Sequence, residues 1–367
     1  MKKLGFGFLR LPLLNKKDKH SVDYAVLNFM VDKFIENGGR YFDTAFTYLG
    51  GASEEAIRIS LIERHPRNEF ILADKLPSWM IRSKEDCSRI FEKQLSRCGV
   101  DFFDVYLLHW LNETNYITAE TFDEFGFISE LKEKGLAGKI GFSFHDSPEL
   151  LDKILTAHPE TDIVQLQINY LDWNSSVLRA RECYEIAMKH GKEIVVMEPV
   201  KGGNLANLPK KAASLLSEAE MNDSPASYAI RFAENLSGVS FVLSGMNSSE
   251  QLFENLDVPE KLSETEISVL YKAAETIRSE TAVPCTGCSY CTGNCPLQIP
   301  IPKYFEVYNE YCRNPEDDWK IEHAYSSLTR NYSRPSDCLR CRICEQNCPQ
   351  KINIVETLQK VSRTFGY

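Results

Sequence analysis

The chain has 367 residues, 43% of them hydrophobic and 11% aromatic, which excludes a disordered polypeptide and leaves room for a barrel-sized domain plus a smaller module. Its formal net charge of −10 argues against a nucleic-acid binder, and no apolar run approaches the length of a membrane span. The opening Met1-Lys2-Lys3-Leu4-Gly5-Phe6 has no signal-like apolar stretch, so a cytoplasmic protein is expected, with its 12 cysteines as metal ligands or packed thiols rather than disulfides.

Short runs rich in β-branched and aromatic residues predict strands over 4–13, 40–45, 70–76, 103–109, 139–144, 163–169, 193–199 and 239–245. Amphipathic stretches predict helices over 24–37, 53–64, 84–98 and 119–134, and Gly38-Gly39, Gly99, Gly135 and Gly191 punctuate the junctions. Strands alternating with helices imply βαβ units and a parallel sheet. Eight such units in about 250 residues imply an α/β fold of the closed (β/α)8 TIM-barrel type. The first strand begins almost at once, leaving little room for an N-terminal hairpin. The alternation ends with a helix over 263–279. The expected domains are therefore a barrel over 1–280 and a small, mostly helical module over 281–367, with helices over 303–313 and 316–331.

Nine of the 12 cysteines lie between Cys285 and Cys348. Eight of them form two copies of one motif, Cys285-x2-Cys288-x2-Cys291-x3-Cys295-Pro296 and Cys338-x2-Cys341-x2-Cys344-x3-Cys348-Pro349. This is the bacterial ferredoxin run for [4Fe–4S] clusters, in which three close thiolates wrap one cubane and the fourth reaches the other. One cluster would take Cys285, Cys288, Cys291 and Cys348, and the second Cys338, Cys341, Cys344 and Cys295. Structural zinc is the alternative, since paired C-x2-C also fits zinc, but two complete eight-ligand copies favour iron–sulfur. Cys312, Cys87, Cys98 and Cys183 fall at no ligand spacing and are read as packed thiols. From Cys285 onward there are 10 Lys+Arg against 9 Asp+Glu, so the negative charge resides in the N-terminal part. The clusters are read as electron conduits, with structural staples as the alternative.

Within the first 280 residues, Phe42-Asp43-Thr44-Ala45, Tyr48, Gly51-Ala52-Ser53-Glu54, Lys75, His109 at the end of Asp104-Val105-Tyr106-Leu107-Leu108-His109, and Gly141-Phe142-Ser143 follow in order. In these residues the chain resembles the aldo/keto reductase family, in the subgroup with a C-terminal ferredoxin-like tail. The resemblance implies a catalytic tetrad of Asp43, Tyr48, Lys75 and His109. Tyr48 is then the general acid toward a substrate carbonyl, Lys75 lowers its pKa, Asp43 holds Lys75, and His109 orients the carbonyl. It places a nicotinamide amide against Ser143 and Gln165, and its ring against the residue after the seventh strand. The family has an aromatic there; this chain has Met197. The family grips the 2′-phosphate of NADP with a basic pair after the eighth strand. The matching Ser244-Gly245-Met246-Asn247-Ser248-Ser249-Glu250-Gln251, with Asn255, has no Lys or Arg, so NAD(H), NADP(H) and flavin stay open. Gly202-Gly203 offers a backbone approach for a pyrophosphate.

Nicotinamides deliver hydride whereas iron–sulfur clusters pass single electrons, so joining them needs a converter, most simply a flavin. The expected activity is reduction of a small-molecule carbonyl, or oxidation of an alcohol. A ferredoxin or flavoprotein is the expected electron partner. The alternatives are an electron-transfer protein in which the barrel is a platform, and a redox sensor whose clusters report oxygen.

Overall fold

The computed structural model describes residues 2–15, 17–257, 261–313 and 318–366, with backbone only for 318–320. Eight parallel strands close on themselves in chain order: β1 (Leu4–Gly7), β2 (Tyr41–Asp43), β3 (Ile71–Pro77), β4 (Phe103–Leu111), β5 (Ala137–Phe144), β6 (Ile163–Gln167), β7 (Glu193–Met197) and β8 (Val239–Ser244). β8 pairs back onto β1, with Gly5 opposite Leu243. This is the TIM barrel that strand–helix alternation implies. β1 stops well short of residue 13, because the chain turns out of the sheet ahead of Pro12, which has no N–H for a ladder.

Side chains alternate between the two faces of each strand. Inward-pointing Tyr41, Ala73, Val105, Leu107, Ile163, Val195, Phe241 and Leu243 form one buried apolar cluster inside the barrel. The outward face of β1 and β2 buries Phe6 and Phe42 against Phe34 of the helix Tyr24–Glu36, with ring centroids 5.6 and 5.2 Å from it. Gly141 on β5 is required by a close approach: a Cβ there would stand 1.9 Å from the carbonyl oxygen of Ile163 on β6.

The helix Lys84–Cys98 spans its predicted bounds, with a Ser83/Asp86 capping box and Gly99 as a left-handed C-cap. The predicted helix over 119–134 is instead two, Glu113–Phe122 and Glu124–Glu133, broken at Asp123 (φ 59°). Short Asp side chains tolerate this left-handed conformation better than most. The helix predicted over 53–64 runs α-helically over Ala52–Ile57 and widens to a π-helical turn at Arg58–Ile62.

The residues fall into two compact units. The first, Met1–Asn174, Arg179–Val200 and Ala226–Leu262, is the barrel. The second comprises Ser175–Leu178, Lys201–Pro225 and Ser263–Tyr367. The segment after β7 thus groups with the C-terminal residues; its helix Lys210–Glu218 packs on the helix Glu264–Glu280, and Lys211 pairs with Glu280 at 2.8 Å. The rest of this unit is mostly helical, with helices Tyr290–Gly293, Ile301–Arg313, Asp318–Asn331, Ile343–Gln346 and Ile354–Thr364. Glu316 and Asp317 of the helix expected over 316–331 lie outside the described residues. Ile299, Ile301, Tyr304, Phe305, Ile354 and Leu358 lead its core. Among the described residues, no helix is long and apolar enough to cross a membrane.

Candidate active site

Beyond the apolar plug, the inward face of the strands turns polar. Two residues past Tyr41 comes Asp43, two past Ala73 comes Lys75, two past Leu107 comes His109, and two past Ile163 comes Gln165. All four are at least 95% buried. Strand period alone therefore aims them into one space at the C-terminal end of the barrel.

Lys75 is the hub. Its Nζ donates to Asp43 Oδ1 at 2.6 Å, to the Thr44 carbonyl at 2.7 Å and to Tyr48 Oη at 3.4 Å. Tyr48 opens a short turn, Tyr48–Gly51, in which Leu49, Gly50 and Gly51 are successively left-handed (φ 50°, 69° and 100°). Leu49 is strained there, and such strain gathers at functional sites. Ser53, in the motif stretch that follows, is a brace: its hydroxyl donates to the Phe8 carbonyl and bonds Thr44. Glu54 pairs with Arg97 at 2.7 Å.

The electrostatics of Tyr48 differ from the expectation. Burial, and then the negative charges of Asp43 and Glu198, hold its phenol well above the ordinary 10, and Arg10 opposes them. Desolvation of the phenolate outweighs the cation beside it. Tyr48 is thus a firmly protonated donor. Asp43 is also raised by burial, with Lys75 pulling it back down. Burial, Lys75 and His145 hold His109 well below 6.5, so its ring is neutral at pH 7. Its Nδ1 is buried without a partner among the described residues. The Tyr48 and His109 rings lie 5.6 Å apart, and Trp79 packs on His109 at 5.0 Å.

β4 and β5 lose register between Leu108 and Leu111, and Trp110 takes φ 61°. This bulge re-aims the strand end that carries His109. The freed Trp110 N–H donates to Ser143 Oγ at 2.7 Å. Gln165 Nε2 reaches Asp43 Oδ2 at 3.5 Å, and its buried Oε1 has no partner among the described residues. Met197 ends β7, half-buried. Asn255 is tied to Ser244 Oγ at 2.7 Å. Gly202 lies in the second unit, where it is left-handed (φ 67°) and a Cβ would meet the Thr286 carbonyl at 2.4 Å. The tetrad, Ser143, Gln165, Met197 and Asn255 belong to the barrel unit; Gly202 does not.

Sequence reasoning missed three residues of this mouth. Arg10, following β1, pairs loosely with Glu198 at 3.8 Å and lies against Gly245. Trp79 sits on the short turn Ser78–Met80 after β3. Glu124, fully buried, accepts the Ser78 hydroxyl at 2.6 Å and so anchors that turn. None carries a motif; position just past a strand's C-terminal end is the signal that marks Arg10 and Trp79.

In the second unit the cysteines gather in two sets. One cavity is lined by Cys285, Cys288, Cys291 and Cys348, and a second by Cys295, Cys338, Cys341 and Cys344, each with Ile and Leu or Phe around the thiols. Burial and then Cys288, Cys285 and Cys348 push the Cys291 thiol up to about 12. Burial, then Glu345 and the thiols of the second set, push Cys344 up to about 12. Such crowded thiols become thiolates together only around a cationic centre, so the donor sets fit the groups their spacing implies. Burial raises the Cys348 thiol, opposed by the backbone N–H groups of Ile352, Gln350 and Lys351. Of the remaining cysteines, Cys87, Cys98 and Cys183 are buried, but Cys312 is exposed rather than packed.

Residues 3–275 match the model of the aldo/keto reductase family. The chain belongs to that family. Residues 284–353 of this aldo/keto reductase match the 4Fe-4S dicluster domain. An aldo-keto reductase of Mycolicibacterium vanbaalenii is 30% identical over 229 residues, 61% of this chain and 74% of its own. The fold matches the solved aldo-keto reductase AKR11C1 of Bacillus halodurans in its holo form, with TM-score 0.59 and 24% identity over 74% of this chain and 91% of that one. An aldo/keto reductase from Klebsiella pneumoniae, solved with NADP and acetate, matches with TM-score 0.58 and 18% identity over 74% and 91%.

The buried Glu124 of the reductase yields a pH test. Burial pushes its carboxyl from the ordinary 4.5 up to about 7, with the Ser78 hydroxyl opposing. The folded chain keeps this proton where the unfolded chain has lost it, so stability falls as pH rises from about 4.5 to about 7 and stays lower above. At about 1.4 kcal/mol per pKa unit the loss is about 3 kcal/mol. Glu124→Gln cannot ionise and still accepts from Ser78. It is expected to stabilise the protein by about 2–3 kcal/mol at pH 8 and little at pH 5, measured as urea-unfolding free energy; equal effects at both pH values would contradict this.

Proposed function

We propose that the barrel reduces a small carbonyl compound, with Tyr48 as the proton donor. The contact that carries this reading is Lys75 Nζ bridging Asp43, Thr44 and Tyr48 Oη. A carbonyl oxygen placed between Tyr48 Oη and the neutral His109 ring would meet two donors, one from the turn after β2 and one from β4. As charge grows on that oxygen, Tyr48 passes its proton, and Lys75 beside Oη stabilises the phenolate left behind. Asp43 keeps the ammonium aimed at Oη. Trp79 and Trp110 wall the site with apolar surface, which excludes water and favours a carbonyl bearing an apolar substituent.

A nicotinamide nucleotide supplies hydride when bound. The unpartnered Gln165 Oε1 and the Ser143 hydroxyl would hold its amide, and Met197 would cover the ring. After β8, Ser248 caps the helix Ser249–Leu256, whose first turn carries Glu250 and no basic residue. This favours NADH over NADPH, since a phosphate dianion lacks a charge-assisted partner there. In the second unit, Cys285, Cys288, Cys291 and Cys348 would hold one [4Fe–4S] cluster, and Cys295, Cys338, Cys341 and Cys344 the other, supplying single-electron transfer. A reducing, cytoplasmic setting keeps these thiols available.

Two measurements test this reading. Tyr48→Phe is expected to lower kcat for NADH-dependent reduction of small aldehydes and ketones by about 10²–10⁴-fold, with the visible absorption of the clusters unchanged. Undiminished turnover would remove Tyr48 from the role. Anaerobically purified chain is expected to contain about eight iron and eight sulfide, and Cys348→Ser about half of each. Zinc in place of iron, or no loss in the variant, would contradict the ligand sets.

A further inference from the structure

The two cysteine loops share one backbone. Offset by the spacing of the two copies, Gly287 (φ 69°) corresponds to Arg340 (φ 55°), Ser289 (φ 65°) to Arg342 (φ 60°) and Gln298 (φ 51°) to Lys351 (φ 52°). The short helices Tyr290–Gly293 and Ile343–Gln346 correspond as well. With the backbone held constant, the side chains differ sharply.

The first loop is partly covered by its own chain, with Gly287 and Ser289 exposed. Within the second unit, Asn204 Nδ2 donates to the Cys285 carbonyl at 3.0 Å, Gly202 packs on the Thr286 carbonyl, and Lys201 Nζ donates to Gln350 Oε1 at 2.8 Å. Thr286 is buried as a result, and Cys288 is only half-buried. Residues 281–302 around this loop hold no charged side chain.

The second loop is bare. Residues 339–343, Leu-Arg-Cys-Arg-Ile, are exposed throughout, with Leu339 65% and Ile343 37% exposed. Cys341 is exposed, alone among the eight motif cysteines. Residues 330–351 hold five Arg and Lys against Asp337 and Glu345, in a chain whose net charge is −10. Arg342 pairs with Glu345 at 2.9 Å and with Glu356 at 3.3 Å; no ion pair joins Arg340 among the described residues. Left-handed backbone favours Gly over Arg, and the first loop has Gly at that place. The loop's own folding therefore does not account for Arg340. Exposed Leu339 and Ile343 interleaved with Arg340 and Arg342, beside a set of four cysteines, have the composition of a transient interface for an acidic partner.

We propose that residues 339–343 dock a small acidic one-electron carrier protein, which makes the set of Cys295, Cys338, Cys341 and Cys344 the external electron port. This rests on the reading of the clusters as electron conduits. In the docked step one electron leaves the reduced carrier and enters the cluster held by that set; no bond is made or broken and no proton moves.

The experiment uses the full chain, purified anaerobically with both clusters. Its cluster absorbance is followed by stopped flow after mixing with a reduced acidic [2Fe–2S] ferredoxin or with a reduced zwitterionic viologen. The wild-type rate with ferredoxin is expected to fall steeply with salt. Arg340→Glu/Arg342→Glu is expected to slow it at least about tenfold at low salt, and Arg340→Gln to slow it less, while the viologen rates stay within about twofold. Ser289→Glu, which puts an acid at the matching exposed place on the first loop, should match wild type. Hydrogen exchange with oxidised ferredoxin should protect amides 338–344 in wild type and not in the double variant. A salt-independent rate, an equal loss in Ser289→Glu, or protection elsewhere would overturn the docking assignment. If neither reductant reduces the clusters, the conduit reading fails, and protection at 338–344 still reports docking by itself.

Discussion

Lys75 carries three N–H donors and no acceptor, and it is 1% exposed in the middle of a barrel. An ammonium so placed is tolerable only if all three protons are received. Asp43, the Thr44 carbonyl and Tyr48 Oη receive them. Removing one partner of such a pair leaves an uncompensated buried charge and costs about 3–5 kcal/mol. β2 and β3 must therefore stay in the register that sets Asp43 opposite Ala73, two residues before Lys75. The chain after β2 must then return Tyr48 over Lys75, which draws Leu49 and two glycines into left-handed conformations.

The same rim holds further backbone irregularities. Trp110 and Glu198 have positive φ, each just past a site residue, His109 and Met197. A register break accompanies the first. Below the rim the strands are filled with apolar side chains, and β7 and β8 shift register once, between Ile194 and Val195. Strain thus sits where side chains are re-aimed into the mouth, and packing holds it there. The second unit solves a different problem. It must keep eight thiols in two groups within a small core, and it does so by using one loop conformation twice. What differs between the loops is what covers them.

Much of this is legible in the sequence. All eight strands show as short runs of apolar, β-branched or aromatic residues, and the Cys-x2-Cys-x2-Cys-x3-Cys-Pro spacing stands out without any structure. The polar tetrad is legible through the family resemblance, and strand period agrees with it by carrying Asp43, Lys75 and His109 onto the inward face. Three things are not legible. The helix break at Asp123 is decided by one residue's tolerance of left-handed backbone, not by periodicity. The raised Tyr48 pKa depends on how completely the phenol is desolvated, and a nearby lysine in the sequence suggests the opposite direction. The grouping of residues 201–225 with the cysteine unit depends on contacts such as Lys201 with Gln350, which lie 149 positions apart.

If Lys75 and Asp43 act as one device that holds Tyr48 poised, their contributions to turnover cannot be independent. A double-mutant cycle on kcat/KM for carbonyl reduction, with Asp43→Ala, Lys75→Met and the combination, measures this directly. Each single change is expected to be severe and the double variant little worse than the more damaged single, a coupling of about 2–3 kcal/mol. Losses that simply add would contradict it.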